Sequence, residues 1–123
     1  MSAYQVTCKI SVSIQVSDFD LNFEIKKIKK NNKNIGGLGF FLGQVRNTEN
    51  KTENLEYIEL EHYPEMAERQ IISICNDASF KWPLHNIRVI HRVGKMLPSE
   101  NIVLVIVASS HRKEAFKAVD FIM

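Results

Sequence analysis

Apolar and polar residues alternate from Tyr4 to Val16 in a segment rich in Val, Ile and Thr, which predicts a strand. From Asp18 onward Leu21, Ile25 and Ile28 recur at helical spacing, although Leu21, Phe23 and Ile25 also alternate. The cap candidates Ser17 and Asp18 and the Lys-rich end favour a helix there. Lys29 to Asn34, KKNNKN, closes it as an exposed loop. Ile35 to Val45 is an apolar strand carrying Gly36, Gly37, Gly39 and Gly43, where glycine implies bulges or a close approach to the backbone. A polar loop, Arg46 to Asn54, joins it to a second strand, Leu55 to His62, so a hairpin-like pair with a long, mobile connection is expected. Pro64 opens a helix that reaches about Phe80, with Ala67, Ile71, Ile74, Cys75 and Ala78 on its apolar face. Ile87 to Arg92 reads as a strand and Gly94 to Glu100 as a turn. The β-branched run Ile102 to Ala108 predicts a strand covered on both faces, and Ser109-Ser110 are expected to cap a last helix packed through Ala115, Ala118, Val119 and Ile122. With no repeat, Pro-rich linker or low-complexity tract, the pattern predicts one α+β domain over residues 1–123.

Composition narrows the function classes. A hydrophobic content of 45% suits one compact core, and 16 basic against 14 acidic side chains leave a net charge of only +2. Neither nucleic acid nor an anionic membrane is demanded, and KKNNKN alone reads as a solvated turn. Cys8 and Cys75 lie far apart in apolar stretches, unlike a disulfide framework, a metal pair or an activated thiol, so a reducing cytoplasm is the expected setting. The amino terminus lacks a secretory pattern and no apolar run is long enough to span a bilayer. His62, His85, His91 and His111 show no zinc-like spacing, so no metal is expected. Glu59 and Glu61 alternate as the outer face of a strand does rather than as an acid/base pair.

Two places carry candidate chemistry. His111 and Arg112 follow a buried strand at the start of a helix, where open N–H groups, the helix dipole, a guanidinium and an imidazole would together bind a phosphate or other oxyanion. A basic residue at a helix start is unfavourable for the helix itself, yet both side chains pointing into solvent is an equally good account. Arg46 ends the glycine-rich strand, where Gly43 would let a ligand approach the backbone. Taken alone, an exposed loop arginine is the simpler reading, and Phe41, which would stack on a flat ligand, is more simply a core aromatic.

The fragments FLGQVR (Phe41 to Arg46), LEHYPEM (Leu60 to Met66), WPL (Trp82 to Leu84), IHRVG (Ile90 to Gly94) and SSHRKEAFKAVDFIM (Ser109 to Met123) occur in one order. From about Ile35 onward the chain resembles the large, catalytic subunit of molybdopterin synthase. The resemblance implies an α/β-hammerhead core with an added antiparallel β-subdomain. It also implies a sulfurtransferase that takes sulfur from a thiocarboxylated, ubiquitin-like small subunit and delivers it to cyclic pyranopterin monophosphate, forming the molybdopterin dithiolene. Two large subunits would form a homodimer carrying a small subunit at each end, a heterotetramer without cofactor or metal. Arg46, His111 and Arg112 match the family's catalytic positions and would share one anion pocket, with Phe41, Gly43, Gln44 and Val45 beside it. In the family the last helix continues into a segment with two functional lysines. This sequence ends at Met123, so the tail is expected to be missing, and neither Lys113 nor Lys117 takes that role. Gln44 stands where a lysine is common. A tail-less subunit that binds its partner without turnover, and an unrelated phosphate-binding module, are the alternative readings.

Overall fold

The computed structural model describes residues 7–30, 32–46, 64–123 and the backbone of 56–58. In chain order the elements are β1 (Lys9–Gln15), α1 (Leu21–Lys29), β2 (Gly37–Gln44), β3 (Glu56–Ile58), α2 (Pro64–Lys81), β4 (Leu84–Arg92), β5 (Gly94–Met96), β6 (Asn101–Ser109) and α3 (Arg112–Ile122). Four strands form one mixed sheet in the order β1-β4-β6-β2, and β3 pairs with β5 in a separate antiparallel ribbon. β1 runs parallel to β4, while β6 is antiparallel to both β4 and β2. The α+β expectation with an antiparallel addition is met.

The sheet is covered on both faces. Ile87, Val89, Val105 and Val107 pack with Cys75 and Ala78 of α2 and Ala115 and Ala118 of α3. On the opposite face Ile90, Leu104 and Ile106 pack against Leu21, Ile25 and Ile28 of α1 and Leu38 and Leu42 of β2. This explains why β6 has no polar face: residues 104–109 are all buried. Each fully buried Leu or Ile contributes about 1.5–3 kcal/mol of transfer free energy. Buried Arg92 ties the far end of this core together, donating to the carbonyls of Val16 and Asn101, both at 3.0 Å, and to Glu100 Oε1 at 3.2 Å. The Leu97 amide and the Arg92 guanidinium together hold the Glu100 carboxyl below its ordinary pKa.

Several expectations are corrected. Among the described residues β2 pairs with β6 and β3 with β5, rather than with each other as a hairpin. A buried central strand offers β2 both a hydrogen-bond ladder and an apolar face, which a polar loop cannot supply. The segment read as a plain turn after Gly94 contains β5, reached through Gly94 at φ +100°, a conformation glycine adopts without strain. Asp20, rather than Ser17 or Asp18, caps α1, its carboxylate accepting from Phe23 N at 3.2 Å. Ile74 is 39% exposed and lies off the buried face of α2. Thr7 and Cys8 precede β1, which starts at Lys9, and the expected strand residues Tyr4 to Val6 fall outside the described residues. The loop after Arg46, Glu59, Glu61 and His62 fall outside them. No described helix is long and apolar enough to cross a membrane.

Candidate active site at the start of the last helix

The carboxyl end of β6 delivers the chain into α3 through Ser109, Ser110 and His111. The expected serine caps are not used as caps. His111 is the N-cap, extended at φ −132° and ψ 145°, with no side-chain cap bond of its own. The Ser109 hydroxyl donates to the His111 carbonyl instead, and Ser110 Oγ pairs with His85 Nε2 at 2.9 Å. His85 is 9% exposed and stands at the start of β4, one strand away, so a buried imidazole braces the turn that presents His111 and Arg112. Both of those side chains are exposed. A guanidinium and an imidazole beside open first-turn N–H groups make the corner suited to an oxyanion.

Glycines let this corner sit close to the edge strand. The Gly36 amide donates to the Ser109 carbonyl at 2.9 Å, and a Cβ at Gly36 would overlap the Ser110 carbonyl oxygen. A Cβ at Gly37 would stand 3.6 Å from Arg112 Cα, and one at Gly39 would stand 3.4 Å from Ala115. Close approach is thus by the protein's own helix. At Gly43, read above as room for a ligand, a Cβ would lie 2.7 Å from Val103 Cγ1 and 3.1 Å from Phe41, so neighbouring side chains take that space; the bulge follows between Gly43 and Gln44.

Arg46 is exposed at the other end of β2. Gly37 pairs with Ser109 and Gln44 with Asn101, so the eight-residue strand separates Arg46 from the His111-Arg112 corner. At about 3.3 Å per residue the strand alone spans roughly 23 Å. One chain therefore brings His111 and Arg112 together but not Arg46. Gln44 Nε2 donates to Asn101 Oδ1 at 3.4 Å. Val45 is buried, with its N–H given to Glu100 O at 2.9 Å and its carbonyl accepting from Ser99 N at 2.8 Å, so it shapes the strand end rather than offering groups to a ligand. Phe41 is 42% exposed, which corrects the core reading, and Phe40 beside it is 47% exposed.

Two residues at the corner escaped the sequence reading. Glu114 has one carboxylate oxygen buried without a partner among the described residues, three positions after the N-cap; that capping-box spacing was the available signal. His85 had none, because its partner Ser110 is 25 residues away in the chain.

The fold and this corner define an α+β protein that exposes a His-Arg pair where its last sheet strand meets its last helix. The family model described as MoaE protein matches residues 14–123. A molybdopterin synthase catalytic subunit from Brucella melitensis biotype 1 is 44% identical over 119 residues, covering 97% of this chain and 71% of that protein. The solved molybdopterin biosynthesis MoaE protein from Burkholderia ambifaria superposes with TM-score 0.80 at 38% identity, covering 93% of this chain and 74% of that one. Molybdopterin synthase from Staphylococcus aureus gives TM-score 0.75 at 30% identity over 89% and 78% of the two chains. The chain belongs to the MoaE family of molybdopterin synthase catalytic subunits.

Proposed function

We propose that this chain is the sulfur-transferring subunit of a cytoplasmic molybdopterin synthase, accepting sulfur from a small-subunit thiocarboxylate and passing it to cyclic pyranopterin monophosphate. The observation that carries this reading is the exposed His111-Arg112 pair at an N-terminal helix turn, in a chain whose family is that of the synthase catalytic subunits. Arg112 and Arg46 would hold the substrate phosphate and developing oxyanions through fixed charge and forked donors, and His111 would donate a hydrogen bond or move a proton.

The separation along β2 supports a site shared between two copies. β2 is an edge of the four-stranded sheet among the described residues, and Phe40 and Phe41 stand exposed on it. Two copies laid antiparallel along this edge, Phe40 of one opposite Phe41 of the other, would carry each Arg46 to the Gly36 end of the other copy, beside its Ser110, His111 and Arg112. An edge unpaired among the described residues and two large exposed aromatics favour such a homodimer.

The test is molybdopterin formation, read as its fluorescent oxidised derivative, after mixing the chain with thiocarboxylated small subunit and cyclic pyranopterin monophosphate. Product from this chain, or from the chain extended by a relative's carboxy-terminal segment, is expected. Inactivity of both forms would overturn the catalytic reading in favour of a binding subunit.

A further inference from the structure

A cavity of about 330 Å³ lies on the α1 face of the sheet, between the α1 helix and the β1-β4 edge, and meets the turn before His111 at His85. Its wall holds a buried ion pair, Arg88 Nε to Glu24 Oε1 at 2.9 Å, with the Arg88 and Glu24 side chains only 16% and 9% exposed. Arg88 Nη1 also donates to Ser11 Oγ at 2.9 Å, fixing the guanidinium plane. Glu24 is therefore neutralised within the wall. The other charged lining groups are Lys9, at the start of β1, and Lys27, on α1, both exposed. Three cations against one carboxylate leave an excess of two positive charges around this one cavity, equal to the formal net charge of the whole chain. His85 and Asn86 add further polar groups to the lining.

We propose that this cavity is a second anion site that takes a small phosphate monoester, the phosphate held between Lys9 and Lys27 and the polar body of the ligand set against the Arg88-Glu24 pair. Two separate ammonium groups match a dianion better than a monoanionic carboxylate. The volume lies at the lower end of the range for small-molecule pockets and excludes a folded partner. A prefixed guanidinium-carboxylate pair offers donors and acceptors together, as sugar hydroxyls require.

The experiment is a ¹H–¹⁵N titration of the whole chain with ribose 5-phosphate, inorganic phosphate and ribose in parallel. Ribose 5-phosphate should perturb amides of β1, α1 and the start of β4, with phosphate weaker and ribose inert. Lys9→Gln with Lys27→Gln should weaken binding by about tenfold or more, since both charges facing the dianion are lost, while Arg112→Ala should leave it unchanged. Perturbations confined to the start of α3 and abolished by Arg112→Ala would overturn the proposal, as would equal binding by the double lysine variant or no perturbation by any phosphate compound.

Discussion

Gly36 and Gly37 are neighbours in sequence, yet the structure predicts opposite outcomes when each becomes alanine. Neither has a positive φ, so any cost must come from space rather than from backbone strain. At Gly36 the new methyl would overlap the Ser110 carbonyl oxygen, and Ser110 has little freedom to yield. Its hydroxyl is held by His85 at 2.9 Å, and the preceding carbonyl, that of Ser109, accepts the Gly36 amide at 2.9 Å. Overpacking of this kind costs about 1–3 kcal/mol. At roughly 4 °C per kcal/mol for a chain of this size, Gly36→Ala should melt about 4–12 °C below the parent. The displaced part is the turn carrying His111 and Arg112, and if these act as proposed, a 1 Å misplacement costs about 10²-fold in rate. At Gly37 the methyl meets Arg112 Cα at 3.6 Å, an ordinary contact. There the loss of unfolded-chain freedom should leave stability unchanged or raise it by up to about 1 kcal/mol. Thermal melts by circular dichroism, with product assays on the same samples, check both. Gly36→Ala and Gly37→Ala melting together would refute the close-approach reasoning.

Arg88→Ala would strand the Glu24 carboxylate in a largely buried setting, so urea unfolding should show a loss of about 3 kcal/mol, part of it recovered when Glu24→Gln is added. His85→Ala removes the brace on Ser110 and should cost about 1–2 kcal/mol by the same measurement; turnover should fall further than stability does, and rescue by His85→Gln would mark the brace as a hydrogen bond. Arg46→Ala should leave the melting midpoint within the range of ordinary surface changes and abolish most product formation; full activity would remove Arg46 from the site. Burial pushes the thiols of Cys8 and Cys75 up to about 11 each, from 9.0. The fold therefore favours the neutral thiols, and their contribution to stability is complete below pH 9 and lost as pH rises from 9 towards 11. Midpoints measured across that interval should fall, and both thiols should resist a disulfide reagent at pH 8 until the chain is unfolded.

Much of the sheet was legible because its strands announce themselves locally. The β-branched run of β6 and the helical spacing of α2 and α3 each follow from one face or two being buried. Pairing was less legible. Nothing between Ile35 and His62 indicates that β2 prefers β6 to the next strand, because the preference arises from the buried ladder residues 101–109 offer much later in the chain. The cap of α3 was misread for a similar reason: Ser110 is drawn away by His85, a contact set by the sheet. Motif matching reached His111, Arg112 and Arg46 as members of one pocket but carried no distances, and the register of β2 on β6 puts Arg46 at the opposite end. The charged cavity beside α1 had no local signal at all, since Lys9, Glu24 and Arg88 meet only after β1 aligns with β4.

The most direct test of a site shared between two copies is complementation in the product assay. Arg46→Ala and Arg112→Ala chains are each prepared inactive, then mixed and allowed to exchange subunits. If each pocket takes Arg46 from one copy and His111-Arg112 from the other, half the dimers become mixed and each of these holds one intact pocket, so activity should recover to about one quarter of the parent. A mixture that stays as inactive as its two components would contradict the shared site.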